Sequence, residues 1–269
     1  MKNLISIDIE ALPPLPQTIT ELQTICLDEE TTIKQVANII EKDPFLTAEL
    51  IKYANSPIYG YARKINSVLQ AVSMFGISTA KGLAIASAVK SSLPIDLSPY
   101  KISTKQFVNA ANLKSAFLFQ WYQDKKELLN TLMPCALLMH IGMVIIAGHI
   151  KRKNQEQEFM QKFNPQDFID SENHLVGHNQ FEILELLFEH WNFEDTMVKT
   201  AHYLLEDESP DDLAHYIYPL RAVNILINPF NIATQAQINI SLQYVRHYKL
   251  NMNYFNISLE NIKAIQELI

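Results

Sequence analysis

Residues 43–60 read DPFLTAELIKYANSPIYG. Asp43 followed by Pro44 is a helix start: the acid accepts from free backbone N–H groups at the N-cap, and proline suits the first helical position, where no N–H is needed. Asn55, Ser56 and Pro57 then stop the helix. Working outward, period-3.6 patterns with recognisable caps predict helices at about 17–27, 32–42, 67–75 and 78–92, with Gly76 ending one and Ile77 preceding the next. Short helices joined by short turns make a compact N-terminal bundle.

Between Leu93 and Lys105 the text changes to LPIDLSPYKISTK, which holds two prolines and no sustained period, and a domain boundary is placed there. Beyond it, Gln106 to Tyr122 is one long helix carrying Phe107, Phe117, Phe119, Trp121 and Tyr122. A helix after Pro134 is apolar nearly all round, as suits an element surrounded by others. Further helices are expected at 155–163, 178–191, 194–206, 211–227, 234–249 and 258–268, and no period-2 run is long enough for a sheet. The expected architecture is all-α, an N-terminal helical bundle of residues 1–95 packed on a C-terminal helical bundle of residues 96–269.

Composition narrows the function. Apolar residues make up 48% and charged residues 19% of the 269, a balance that belongs to a packed chain and not to a disordered one. Six glycines form no GxGxxG or GxxxxGK[ST] loop, which disfavours a phosphate-cradling nucleotide fold. Cys26 and Cys135 lie far apart in apolar patterns and read as buried free thiols of a reducing cytoplasm. Asp8 and Glu10 interrupt the N-terminus before a signal-peptide core develops, so secretion is not expected. The run from Cys135 to Ile150 falls short of the roughly 20 residues that span a bilayer, and no membrane association is expected. A net charge of −7 disfavours binding to nucleic acid, and Lys151-Arg152-Lys153 reads as a solvated helix end.

The chemistry turns on residues 136–147, ALLMHIGMVIIA. Adjacent His and Asp on a buried helix can give two ligands to one metal ion. Here His140 is followed by Ile141, which coordinates nothing. A single histidine in an apolar helix reads as a core residue with one nitrogen satisfied by a neighbour. In the helix expected at 178–191, His178, Glu182, Glu185 and Glu189 fall on one face, opposite Ile183, Leu187 and Trp191. That stripe is the polar side of an amphipathic helix. His178 follows Gly177 at the helix start, where capping suffices. No GxSxG elbow or local Cys-His motif is present.

LPPLPQTITEL, then IIEKDPFLTAELIKYANSPIYG, then INSVLQAVSMFG resemble the first half of HDOD domains; ALLMHIGMVII, VGHNQFEILELLFEHWNF and TAHYL resemble the second. The resemblance implies kinship with the HD and HD-GYP phosphohydrolases, hence an HD-like C-terminal bundle. Those relatives carry a His, a His-Asp pair, further histidines and a late Asp. No histidine precedes His140 in this chain, and Ser115 stands near the expected first ligand. Ile141 replaces the Asp of the pair, Asn224 the late Asp, and Tyr203 the second of two adjacent histidines. His140, His178 and His202 remain as vestigial positions. Glu172 and Glu182 are carboxylates that sequence alone does not place.

The expectation is therefore a non-enzymatic cytoplasmic signalling module with no cofactor, no catalytic residues and no metal. It would act on a protein partner or a small, possible nucleotide ligand. The alternative is a divergent metal-dependent phosphohydrolase or phosphodiesterase on a nucleotide or cyclic dinucleotide. A helical scaffold without a ligand pocket is a third option. The turn holding Asn55, Ser56, Tyr59 and Gly60 is the candidate recognition surface; its plainer role is to end a helix and turn the chain.

Overall fold

The computed structural model describes residues 8–28, 30–59 and 64–266, and among these every regular element is helical. The helices are α1 (Gln17–Ile25), α2 (Ile33–Ile40), α3 (Pro44–Ala54), α4 (Val68–Phe75), α5 (Ile77–Ser92), α6 (Thr104–Trp121), α7 (Lys126–Leu138), α8 (Gly142–Arg152), α9 (Glu156–Lys162), α10 (Phe168–Val176), α11 (Gln180–His190), α12 (Asp195–His202), α13 (Ala214–Leu226), α14 (Gln235–His247) and α15 (Met252–Gln266). Gly60 lies outside the described residues.

Asp43 caps α3 as its sequence requires, accepting from the N–H groups of Phe45 at 2.9 Å and Leu46 at 3.1 Å. Leu46, Leu50, Tyr53 and Ala54 form the buried stripe of that helix. Gly76, with φ +84°, is shared by the end of α4 and the start of α5, which meet at 117°. A side chain there would sit in a backbone region that only glycine enters readily.

Several segments differ from the sequence expectation, and the last helix, expected from 258, already begins at Met252. Pro134 is inside α7 and does not precede a helix; its ring lies against Gly82 of α5, so close that a Cβ on Gly82 would be 2.8 Å from Pro134 Cγ. The lost helical hydrogen bond is accepted where two helices approach this tightly. The apolar segment 126–152 is also not one regular helix. Ile141 N donates to Leu138 O, Met143 N to His140 O and Val144 N to Ile141 O, so three-residue bonds tighten the turn at His140 before α8 begins. A further difference is α10, absent from the expectation although Phe168, Ile169, Leu175 and Val176 share one face and pack on the core. The helix expected from 178 starts instead at Gln180, with Asn179 as its cap and Gly177, at φ +81°, closing α10.

Taken together, Lys126–Arg152 is long and apolar enough to cross a membrane, but 94% of its most apolar window is buried among other helices. Burial of that order is what a core helix of a globular protein shows. Buried residues on both sides of the 93–105 stretch belong to one cluster, with α5 packed on α7 and α6 on α7. Pro99 and Tyr100, in a short 3-10 turn at Ser98–Tyr100, are themselves buried. Cys135 is buried and Cys26 half-buried, and both are free thiols.

Candidate functional site

The tight turn between α7 and α8 points His140 into the interior, where it is 4% exposed. Its position is set by a helix contact. Gly142 abuts Gln180, the first residue of α11, so closely that a Cβ on Gly142 would lie 2.1 Å from Gln180 O. The same approach places the Gln180 side chain on His140: Gln180 Oε1 meets Nδ1, and on the other side of the ring the Asn224 amide of α13 meets Nε2 at 2.8 Å. Phe168 and Phe181 stand edge-on around the imidazole.

The chain of contacts continues. Glu172 of α10 is fully buried and accepts from Gln180 N at 2.8 Å, Gln180 Nε2 at 3.1 Å and the Tyr100 hydroxyl at 2.9 Å. Because the Gln180 amide nitrogen is committed to Glu172, its oxygen takes the Nδ1 proton of His140. The structure places Asn224 Oδ1 at Nε2; a neutral imidazole has one proton to give, so with Nδ1 as donor this bond requires the Asn224 amide turned end for end, which has the same shape. Tyr100, Glu172, Gln180, His140 and Asn224 thus form one hydrogen-bonded line through the C-terminal bundle.

Burial works against charge along this line. Burial holds the His140 pKa well below that of free imidazole. Burial also pushes the Glu172 carboxyl up to about 8, against the opposing pull of its three hydrogen bonds. Lys114 itself, on α6, is fully buried, and its Nζ has no hydrogen-bond partner among the described residues. Burial lowers its pKa well below the usual lysine range, with Lys90 adding to the shift. A charged ammonium without a partner would be too costly there, so the amine is neutral.

The residues expected at vestigial metal positions are not brought together. His178 Nδ1 bonds Glu182 at 2.9 Å and His202 Nδ1 bonds Glu185 at 3.0 Å, both towards solvent on the polar face of α11. Ser115, near the place of a first ligand, is buried and accepts from the Tyr59 hydroxyl at 3.5 Å, and Ile141 is fully buried. Among the described residues no three His, Cys, Asp or Glu side chains converge as a metal site. The residues present do not fit a hydrolytic metal centre: both nitrogens of His140 are engaged by amides, and the oxygens of buried Glu172 are engaged by Tyr100 and Gln180.

Tyr59 corrects the candidate recognition surface. It is 4% exposed, its ring packs edge-on against Phe75 and Phe119, and it belongs to the core. Ser56 is half-buried. Asn55 is exposed, yet its amide is fully used, donating to Ile51 O at 2.9 Å and Ile65 O at 2.7 Å and accepting from Ile65 N at 2.8 Å. It straps the loop that follows α3. Asn55→Ala is expected to lower stability by about 1–2 kcal/mol, read as a shift in the urea midpoint, because Ile65 N and O lose their partner.

Tyr100, Gln180 and Lys114 are the site members that the sequence did not single out. Lys114 was legible: it occupies the buried stripe Phe107, Ala110, Ala111, Lys114, Phe117, Leu118, Trp121 of α6. Gln180 was not, since only the approach of α8 to α11 makes it a neighbour of His140. The basic end of α8 is tied to acids, with Arg152 on Asp8 at 2.5 Å and Lys151 on Asp96.

The HDOD domain family matches residues 12–205 of this sequence. No curated protein matches it. Among solved structures, a virulence factor from Campylobacter jejuni subsp. jejuni is 25% identical, with a TM-score of 0.61 over 96% of this chain and 95% of that one. A protein from Shewanella amazonensis provisionally named a phosphohydrolase is 20% identical, with a TM-score of 0.66 over 97% and 95% of the two chains. An HDOD domain protein with unknown function from Geobacter sulfurreducens is 17% identical, with a TM-score of 0.63 over 95% and 90%. These last two likenesses are likenesses of fold.

Proposed function

This chain belongs to the HDOD domain family, and on that footing we propose that it is a non-enzymatic regulatory module of the cytoplasm, acting by binding a protein partner or a small regulatory ligand. One arrangement carries this reading. Where an HD phosphohydrolase needs convergent ligands with free lone pairs, the chain has a closed line of hydrogen bonds from Tyr100 to Asn224. A polar core satisfied within itself stabilises a shape and leaves a metal cation no free ligand set.

Metal analysis and turnover of the purified full chain test the proposal together. The expected result is no stoichiometric transition metal after dialysis and no hydrolysis of a cyclic dinucleotide in added Mn2+ or Mg2+. One retained metal per chain, lost in His140→Ala along with phosphodiesterase activity, is the outcome that would sink it. A binding module should also gain thermal stability from its ligand by mass action, which a scaffold without a pocket would not.

A further inference from the structure

A cavity of about 340 Å3 opens beside Tyr100, at the end of the buried line that faces away from Asn224. Its walls are aromatic. The Tyr100 ring meets Phe163 edge-on at 5.0 Å between centroids, and Phe163 lies 5.5 Å from Phe230 at a 40° tilt. Phe163 and Phe230 are only half-buried, so part of each ring is open to the cavity.

The rim supplies polar groups with nothing to bond. Gln106 uses its oxygen to cap α6 through Ser103 and leaves its NH2 free, while the side-chain amides of Gln166 and Asn231 bond nothing among the described residues. Lys101 stands at the mouth, held in a left-handed turn with φ +58°, and has no ion pair among the described residues. No Asp or Glu lines the cavity. In a chain of net charge −7, an unpaired cation beside an aromatic slot with no acid in it is an uncommon combination.

We propose that this cavity binds a small aromatic carboxylate. The flat ring would lie against Phe163 and Phe230, its edge would meet the amides of Gln166 and Asn231, and the carboxylate would face Lys101. Size and charge select this class: the volume is at the small end for ligand pockets, room for one or two fused rings, and a single lysine matches a monoanion. The proposal rests on the regulatory reading and deepens it, because Tyr100 is shared. Its ring is a wall of the cavity and its hydroxyl bonds Glu172, so an occupant touches one end of the buried line.

Met160 also lines the cavity, which gives a direct probe. In the full chain with methyl-labelled methionine, indole-3-carboxylate should shift the Met160 signal saturably in the micromolar to millimolar range. Indole, which lacks the carboxylate, should bind several-fold more weakly, as should the carboxylate to Lys101→Gln, in keeping with one partly exposed ion pair. Gln166→Trp, at an exposed position, should block the mouth and abolish the shift without disturbing the fold. An unmoved Met160 signal at millimolar probe, or equal affinity of indole and Lys101→Gln with the parent pair, would overturn the proposal. A metal-loaded, active enzyme would overturn the regulatory reading while leaving a Met160 shift in place, so the two failures are separable.

Discussion

Gly142→Ala is expected to be the most damaging single-methyl change in this protein, lowering stability by about 3 kcal/mol or more. The added Cβ would lie 2.1 Å from a backbone oxygen, Gln180 O, and 2.8 Å from its carbonyl carbon. Backbone at the first turn of α11 has no rotamer to change, so α8 and α11 must separate. The melting temperature should fall by roughly 6–12 °C, at about 2–4 °C per kcal/mol. Because Gln180 moves with α11, the bond from His140 Nδ1 should weaken as well, visible as a change in the His140 ring-nitrogen signals. Gly148→Ala in the same helix is the control. There the nearest atom to a new Cβ is the flexible end of Arg152, at 3.3 Å, and the helix propensity of alanine should make the change neutral or favourable by up to about 1 kcal/mol. Equal effects of the two substitutions would remove the helix contact as the cause.

Lys114→Met should act in the opposite direction, stabilising the fold at pH 7 by about 1–3 kcal/mol. Methionine keeps the length and flexibility of the side chain and removes an amine that has no hydrogen-bond partner among the described residues. The sign with pH follows from linkage. Burial holds the folded-state pKa of Lys114 well below that of an unfolded lysine, near 10.4. Between those two values the unfolded chain binds a proton that the folded chain does not, so this group makes stability rise with pH, by up to about 1.4 kcal/mol per unit. The advantage of Lys114→Met should therefore shrink from pH 7 to pH 9.5 in paired urea titrations. A constant difference across that range would mean that Lys114 carries its charge in the folded protein. Glu172 slopes the other way: its folded pKa is raised to about 8, so its contribution is full below the unfolded value near 4.3 and is lost as pH rises through about 8.

Much of the architecture is local information. Asp43-Pro44, the capping box of Ser103 with Gln106, and Thr234 with Gln237 mark helix starts that need no tertiary partner. The misjudged segments fail for identifiable reasons. Pro134 continues a helix because Gly82 makes room for its ring, a fact about another element. The apolar stripe of helix α10, Phe168, Ile169, Leu175 and Val176, is broken by Glu172, whose burial is balanced by donors from Tyr100, distant in the chain, and Gln180, later in it. Tyr59 reads as part of a recognition turn because the turn combines amide, hydroxyl and aromatic groups in sequence. Its neighbours in space are Phe75, Phe119 and Ser115.

By itself the sequence determined that the chain is helical, that no histidine precedes His140, and that an isoleucine follows it. Those are statements about residue identity and period, and no packing arrangement can reverse them. Only the tertiary structure decided what fills the space where ligands are missing. Gln180, Asn224, Glu172 and Tyr100 come from four separate elements, and Gln180 reaches His140 because α8 can approach α11 at a residue without a Cβ. Hydrogen bonds are made across space between groups whose sequence separations carry no signal, while burial sets which of them keep their protons.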